Sequence, residues 1–122
     1  MSGCNDTIIA ETETTVTALG AAEAAKYRNR AGVEFVDPRP AEAIAATTGI
    51  IPGARRIDLA DIEAGKLPPA FGDRSIHVIA SCQGGPMGAR AADAFAKLGF
   101  AHVSYVAGGT QAWLDAGLPT QR

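Results

Sequence analysis

Short apolar runs alternate with helix-forming stretches along the chain, and this alternation predicts its secondary structure. The apolar runs predict strands near residue 16 and over residues 33–36, 55–59, 76–80 and 103–106. The stretches between and after them predict helices over residues 20–30, 41–46, 60–64, 89–98 and 111–115. Because strands alternate with helices throughout, we expect an α/β fold with a mainly parallel five-stranded sheet and right-handed crossovers.

The strand over residues 76–80 is nearly all apolar, which is typical of a central strand covered by helices on both faces of a sheet. Functional sites of such sheets lie beyond the carboxyl ends of the strands. Cys82 follows this strand, and Asp37 and Gly108 follow two others. We therefore expect the functional residues near Cys82.

The length of 122 residues favours a single domain, which can bury enough surface to need no disulfide or metal. Residues 1–13 are small and polar, so we predict a disordered tail followed by one domain over residues 14–122. A formal net charge of −2 without a basic stripe argues against nucleic-acid binding.

Several absences narrow the environment that we expect for the protein. No apolar run approaches the roughly 20 residues that span a bilayer, and residues 1–13 lack the features of a signal peptide. Cys4 and Cys82 lie far apart, as suits a reducing compartment, so we predict a cytoplasmic protein. His77 and His102 have no partner cluster in the sequence, which argues against a metal site.

Cys82 lies in a setting that favours an ionised thiol. Its loop consists of residues 83–88, QGGPMG, and a helix is predicted to follow directly. Successive backbone N–H groups of a glycine-rich turn can form a nest for an anion, and the positive end of the helix dipole adds to it. Cys82 is therefore the candidate nucleophile, and a buried structural cysteine is the alternative.

The segments around this loop resemble those of the rhodanese-like sulfurtransferases. The resemblance covers residues 16–119 and rests on segments in family order: VDPR at 36–39, IPGA at 51–54, CQGGP at 82–86, LGF at 98–100, GGTQAW at 108–113 and GLP at 117–119. It implies that Cys82 accepts a sulfane sulfur as a persulfide and passes it to a thiophile, thiosulfate and cyanide being the usual pair. It implies no metal or organic cofactor. The donor and acceptor would be small molecules; a protein acceptor and the oligomeric state are left open.

The same resemblance suggests which residues bind substrate. These are Gln83, Gly84, Gly85, Met87 and Gly88 in the loop, with Asp37 and Arg39 beside it. Family loops often carry a cation at the position of Met87 and a hydroxyl at that of Gly88. Without the cation, thiosulfate is expected to be a poor donor and a less charged persulfide a better one. Ile50 replaces a family histidine, which we expect to alter packing only.

Other residues have structural explanations that compete with functional ones. For Asp37 and Arg39, an ion pair that ties a loop is favoured over catalysis, and Arg90 is expected to be a solvated helix residue. His77 is expected to be a core histidine bonded to backbone, Trp113 a core residue, and Gly108 and Gly109 a turn near Cys82. Cys4 is expected to be incidental, with a resolving role as the alternative.

Two other functions remain open from the sequence. A non-catalytic rhodanese-like binding or regulatory module would share the fold, although such modules commonly lack the cysteine. A cysteine phosphatase or arsenate reductase would need an arginine six positions after the cysteine. Gly88 occupies that position, and Arg90 lies two residues later.

Overall fold

The computed structural model describes residues 15–122 and has one central β-sheet. Its strands are β1 (Val16–Leu19), β2 (Val33–Asp37), β3 (Arg55–Arg56), β4 (His77–Ala80) and β5 (His102–Val106). Their spatial order is β1-β5-β4-β2-β3, and every neighbouring pair is parallel. The predicted α/β fold with a five-stranded sheet is confirmed, and the sheet is entirely parallel. The predicted tail at residues 1–13 and Cys4 lie outside the described residues.

Helices lie between the strands in the predicted order. They are α1 (Ala21–Ala25), α2 (Ala41–Ala46), α3 (Leu59–Glu63), α4 (Pro86–Lys97) and α5 (Gly109–Asp115), with a 3₁₀ turn at Pro69–Gly72. Across residues 15–122, no helix has the length and apolar character needed to cross a bilayer.

Both faces of the sheet are buried. Val78 and Ile79 are adjacent in β4, and both are completely buried, but they belong to different core clusters. Val78 packs in the cluster that contains Phe95 of α4, whereas Ile79 packs in the cluster that contains Trp113 of α5. A strand that is apolar on both sides therefore has helices on both sides, as the sequence predicts. Trp113 is confirmed as a core residue.

Three element boundaries differ from the prediction by three residues or more. Helix α1 ends at Ala25, and turns follow in which Asn29 has a left-handed φ of 61°. Strand β3 has only two residues because Asp58 is already the N-cap of α3. Helix α4 begins at Pro86 rather than at residue 89, since proline is well suited to a first helical position, where no N–H is needed.

His77 differs from its predicted environment in two ways. Its Nε2 atom lies 2.8 Å from the Ser104 hydroxyl, so its partner is a side chain and not the backbone. His77 and His102 are also direct neighbours in the register of β4 and β5, with ring centroids 6.3 Å apart. Strand pairing therefore brings together two histidines that are far apart in sequence.

This environment lowers the pKa of His77 from its ordinary value of 6.5, first through loss of solvation on burial and then through repulsion from His102. The unfolded chain therefore binds a proton at His77 more readily than the folded protein does. We expect the free energy of unfolding to decrease as the pH falls below about 6.5. Urea unfolding between pH 7 and pH 5 should show a smaller decrease for His77→Gln; an equal decrease in both proteins would contradict this.

Candidate active site

The end of strand β4 places Cys82 directly beyond the sheet. The Ser81 N–H still donates to the Val36 carbonyl of β2 at 2.9 Å, so the chain is held to the sheet until the residue before the cysteine. Cys82 is only 3% exposed. Its position is therefore set by the central strands and not by a mobile loop.

A backbone amide of the loop contacts the sulfur. The Gly85 N–H donates to Cys82 Sγ at 3.0 Å. Gly85 adopts a φ of 121°, a conformation that side chains rarely tolerate, and then serves as the N-cap of α4. Gly88 lies in the first turn of this helix, where a Cβ atom would be 3.2 Å from the Cys82 nitrogen. The start of α4 thus approaches the cysteine closely because glycines leave room for it.

Helix α5 also contacts the cysteine loop. The Thr110 N–H donates to the Cys82 carbonyl at 2.7 Å, and the Gln111 N–H donates to the Gln83 carbonyl at 3.0 Å. The hydroxyls of Ser81 and Thr110 lie 2.7 Å apart, and both residues are buried. The first turn of α5 therefore holds the start of the cysteine loop through three hydrogen bonds.

Asp37 and Arg39 form a buried ion pair at the carboxyl end of strand β2. Arg39 Nη2 lies 2.7 Å from Asp37 Oδ2, and Arg39 Nε donates to Oδ1 at 3.0 Å. The remaining guanidinium donors contact the hydroxyls of Thr47 and Thr48 and the carbonyl of Gly49. These contacts match the loop-tying ion pair that the sequence favours. Contact of either side chain with substrate stays a prediction.

The other candidate residues differ in their access to solvent. Gln83, Gly84 and Met87 are exposed around Cys82, and Met87 is the exposed large apolar residue of the described chain. Arg90 is exposed and forms two hydrogen bonds with Glu63 of α3, at 2.8 and 3.2 Å. It is thus paired on the helix surface. The loop itself contains no cationic side chain.

Sequence reasoning did not identify Ser81 and Thr110 as parts of the site. Ser81 precedes the cysteine and Thr110 follows the Gly108–Gly109 pair, but nothing in their spacing shows that they meet. The predicted proximity of that glycine pair to Cys82 was the available signal.

Ile50 stands where the family often has a histidine. Its backbone forms an isolated antiparallel bridge with Gln121, near the C-terminus.

Comparison with known proteins supports the fold. No curated protein sequence matches the chain. A protein from Rhodopseudomonas palustris, described as of unknown function and a possible tyrosine phosphatase, is 27% identical, with a TM-score of 0.78 over 87% of this chain and 85% of that one. A rhodanese-like domain protein from Staphylococcus aureus is 25% identical, with a TM-score of 0.66 over 87% of this chain and 99% of that one.

A human single-domain sulfurtransferase, TSTD1, is also similar in structure. It is 24% identical, with a TM-score of 0.68 over 80% of this chain and 95% of that one, and at this identity the likeness shows a shared fold. The family model described as the rhodanese-like domain matches residues 20–116, which include Cys82, its loop and the first turn of α5. The chain therefore belongs to the rhodanese-like domain family.

Proposed function

We propose that this protein is a sulfurtransferase that carries a sulfane sulfur as a persulfide on Cys82. The observation that carries the proposal is the hydrogen bond from the Gly85 amide to Cys82 Sγ, made at the carboxyl end of the central strand. A backbone donor aimed at a thiol stabilises negative charge on sulfur, which the nucleophile and the persulfide share. Membership of the rhodanese-like family supports the same activity.

The proposed reaction has two displacements at sulfur. With thiosulfate, the Cys82 thiolate attacks the outer sulfur, the S–S bond breaks, and sulfite leaves with the bonding electron pair. The product is an anionic persulfide on Cys82. Cyanide then attacks the terminal sulfur, thiocyanate leaves, and the thiolate is restored. Neither step consumes an oxidant or reductant, and the charges balance.

The loop can stabilise this anion without a charged side chain. The Gly85 amide already contacts the sulfur, and the amides in the first turn of α4 have no carbonyl partner within that helix. Fixed donors near a developing negative charge lower the barrier because they need no reorganisation during the reaction. Persulfide formation is thus supported by the backbone of residues 83–88.

The donor class follows from the side chain at position 87. Met87 is apolar and exposed, at a position where loops of the family often carry a cation that would help to hold the sulfonate of thiosulfate. Arg90 is paired with Glu63 on the surface of α4, so its use for thiosulfate would cost that ion pair. We propose that uncharged or weakly charged organic persulfides are better donors than thiosulfate. The proposed acceptor is a small thiophile, and a protein thiol is left open.

Replacing Met87 by arginine tests this donor preference. A guanidinium near the loop should raise kcat/KM for thiosulfate roughly fivefold to tenfold, because an exposed charged hydrogen bond contributes about 1 kcal/mol. The rate with an organic persulfide should stay within about twofold, since that donor carries at most one negative charge on its sulfurs and has no sulfonate for the guanidinium to bind. Met87→Leu is the matched control, and equal thiosulfate rates in both variants would contradict the assignment.

Turnover is the test of the proposed function. Thiocyanate formation from cyanide should occur with at least one donor among thiosulfate and organic persulfides. If no donor supports turnover and the thiol never gains a sulfur, the protein is a binding or regulatory module of the same fold.

Phosphate ester hydrolysis is the alternative suggested by the description of the R. palustris protein. Its anionic substrate would need a cation near Cys82, and residue 88 is a glycine. With Arg90 bound to Glu63, the loop offers only backbone donors for a phosphate dianion. We therefore favour sulfur transfer. Hydrolysis of an aryl phosphate that depends on Cys82 would reverse this preference.

A further inference from the structure

The start of helix α5 is unusual in the way its backbone donors are used. The first N–H groups of a helix have no partner within the helix and normally bind a capping side chain or water. The N-cap residue Gly108 offers no side chain. Instead, the Thr110 and Gln111 N–H groups bind the carbonyls of Cys82 and Gln83. The cysteine loop is therefore the cap of α5.

These two hydrogen bonds also orient the amides of the loop. In a trans peptide unit, the N–H points opposite to the C=O of the same unit, and the described chain has no cis peptide. With the Cys82 carbonyl directed to α5, the Gln83 N–H must point away from α5. The Gln83 carbonyl fixes the Gly84 N–H in the same way. The contacts of α5 therefore fix the orientation of the two peptide units that precede Gly85, the residue whose amide donates to the sulfur.

The remaining contacts leave the loop little freedom to turn. The Ser81 and Thr110 hydroxyls are 2.7 Å apart in a buried environment, where an unpaired hydroxyl would be costly. At Gly109, a Cβ atom would lie 2.5 Å from the Gln83 carbonyl oxygen and 2.8 Å from that of Cys82. Any larger residue at this position must displace the loop.

We infer that Thr110 is a positioning residue for Cys82: it holds the start of the cysteine loop so that the Gly85 amide stays directed at the sulfur. Its backbone N–H fixes the Cys82 carbonyl, and its hydroxyl fixes the residue before the cysteine. The role in sulfur transfer rests on the proposed function. The effect on thiol reactivity does not, because alkylation needs no sulfur donor.

Valine and serine at position 110 separate the effect of the hydroxyl from the effect of side-chain shape. In a Cys4→Ser background, Thr110→Val should slow alkylation of Cys82 by iodoacetamide roughly threefold to tenfold at pH 7, since one net hydrogen bond is lost. The alkylation rates of both proteins should be compared over a range of pH. Thr110→Ser should restore most of the rate.

Alanine at two glycines separates loop displacement from backbone strain. Gly109 and Gly117 both have left-handed φ values, of 68° and 82°, but nothing lies within 4 Å of a Cβ atom at Gly117. Gly109→Ala should therefore slow alkylation more than Thr110→Val does. Gly117→Ala should lower only the free energy of unfolding and keep the alkylation profile of the native protein.

The outcomes distinguish this inference from the proposed function. If Thr110→Val changes the pH profile of alkylation, the positioning role stands, even if no sulfur donor supports turnover. If Thr110→Val alkylates with the native pH profile and loses only unfolding free energy, Thr110 is a structural residue and the inference is overturned. An equal shift in Gly109→Ala and Gly117→Ala would also overturn it, because strain alone would then explain the effect.

Discussion

A Cys82→Ser variant should lose sulfur transfer by about a thousandfold or more, because the hydroxyl is a far weaker nucleophile than the thiolate and cannot form a persulfide. Thiocyanate formation with the best donor measures the loss. Serine is close to cysteine in size and can accept the Gly85 hydrogen bond, so the fold should be retained. Thermal unfolding of the variant checks that the loss is chemical.

Cys4→Ser is the natural control for this experiment, because the chain has two cysteines. It should keep the native rate if Cys4 is incidental, as we expect. A reduced rate in Cys4→Ser would instead assign Cys4 a resolving role. Equal turnover in Cys82→Ser and the native protein would refute the proposed mechanism.

Arg39→Met should lower the free energy of unfolding by about 3–5 kcal/mol, since it leaves Asp37 as a buried carboxylate without its counter-ion. The ion pair is almost inaccessible, with side-chain exposures of 5% for Arg39 and 3% for Asp37. Methionine keeps much of the apolar stem, so the effect comes from the lost charge and from the lost hydrogen bonds to Thr47, Thr48 and Gly49. Urea unfolding measures it.

Two further variants show whether the unfolding free energy lost in Arg39→Met comes from the unpaired charge of Asp37. The double variant Asp37→Asn with Arg39→Met should recover part of the stability, because the unpaired charge is then removed. Lys97→Met breaks an exposed ion pair with Asp93 on the surface of α4, and it should cost at most about 1 kcal/mol. A similarly small cost for Arg39→Met would show that Asp37 does not depend on its partner.

The order of the elements and the place of the cysteine could be predicted because both are local properties of the chain. An apolar run followed by CQGGP indicates a central strand that leads into a glycine-rich turn, and the structure has β4 and the start of α4 there. Boundaries were less predictable where a cap or a pairing partner decides them. Strand β3 is an example, because Asp58, the N-cap of α3, lies within the predicted strand.

The contacts that orient the cysteine could not be predicted because they join distant segments. Thr110 meets Ser81 only after β4 and α5 pack together, and the two residues are 29 positions apart. The same holds for the pair of His77 and His102, which strand register brings together. Sequence spacing carries information about helices and turns, whereas these partners depend on the assembled sheet.

The most direct test of the central claim is the mass of the intact protein after exposure to sulfur donors. The native protein should gain one sulfur atom from at least one donor, located by peptide mapping at Cys82 and released by cyanide as thiocyanate. Cys4→Ser should gain the same sulfur, and Cys82→Ser should gain none. A protein that gains no sulfur from any donor, or gains it only at Cys4, would contradict the assignment of Cys82 as the persulfide carrier.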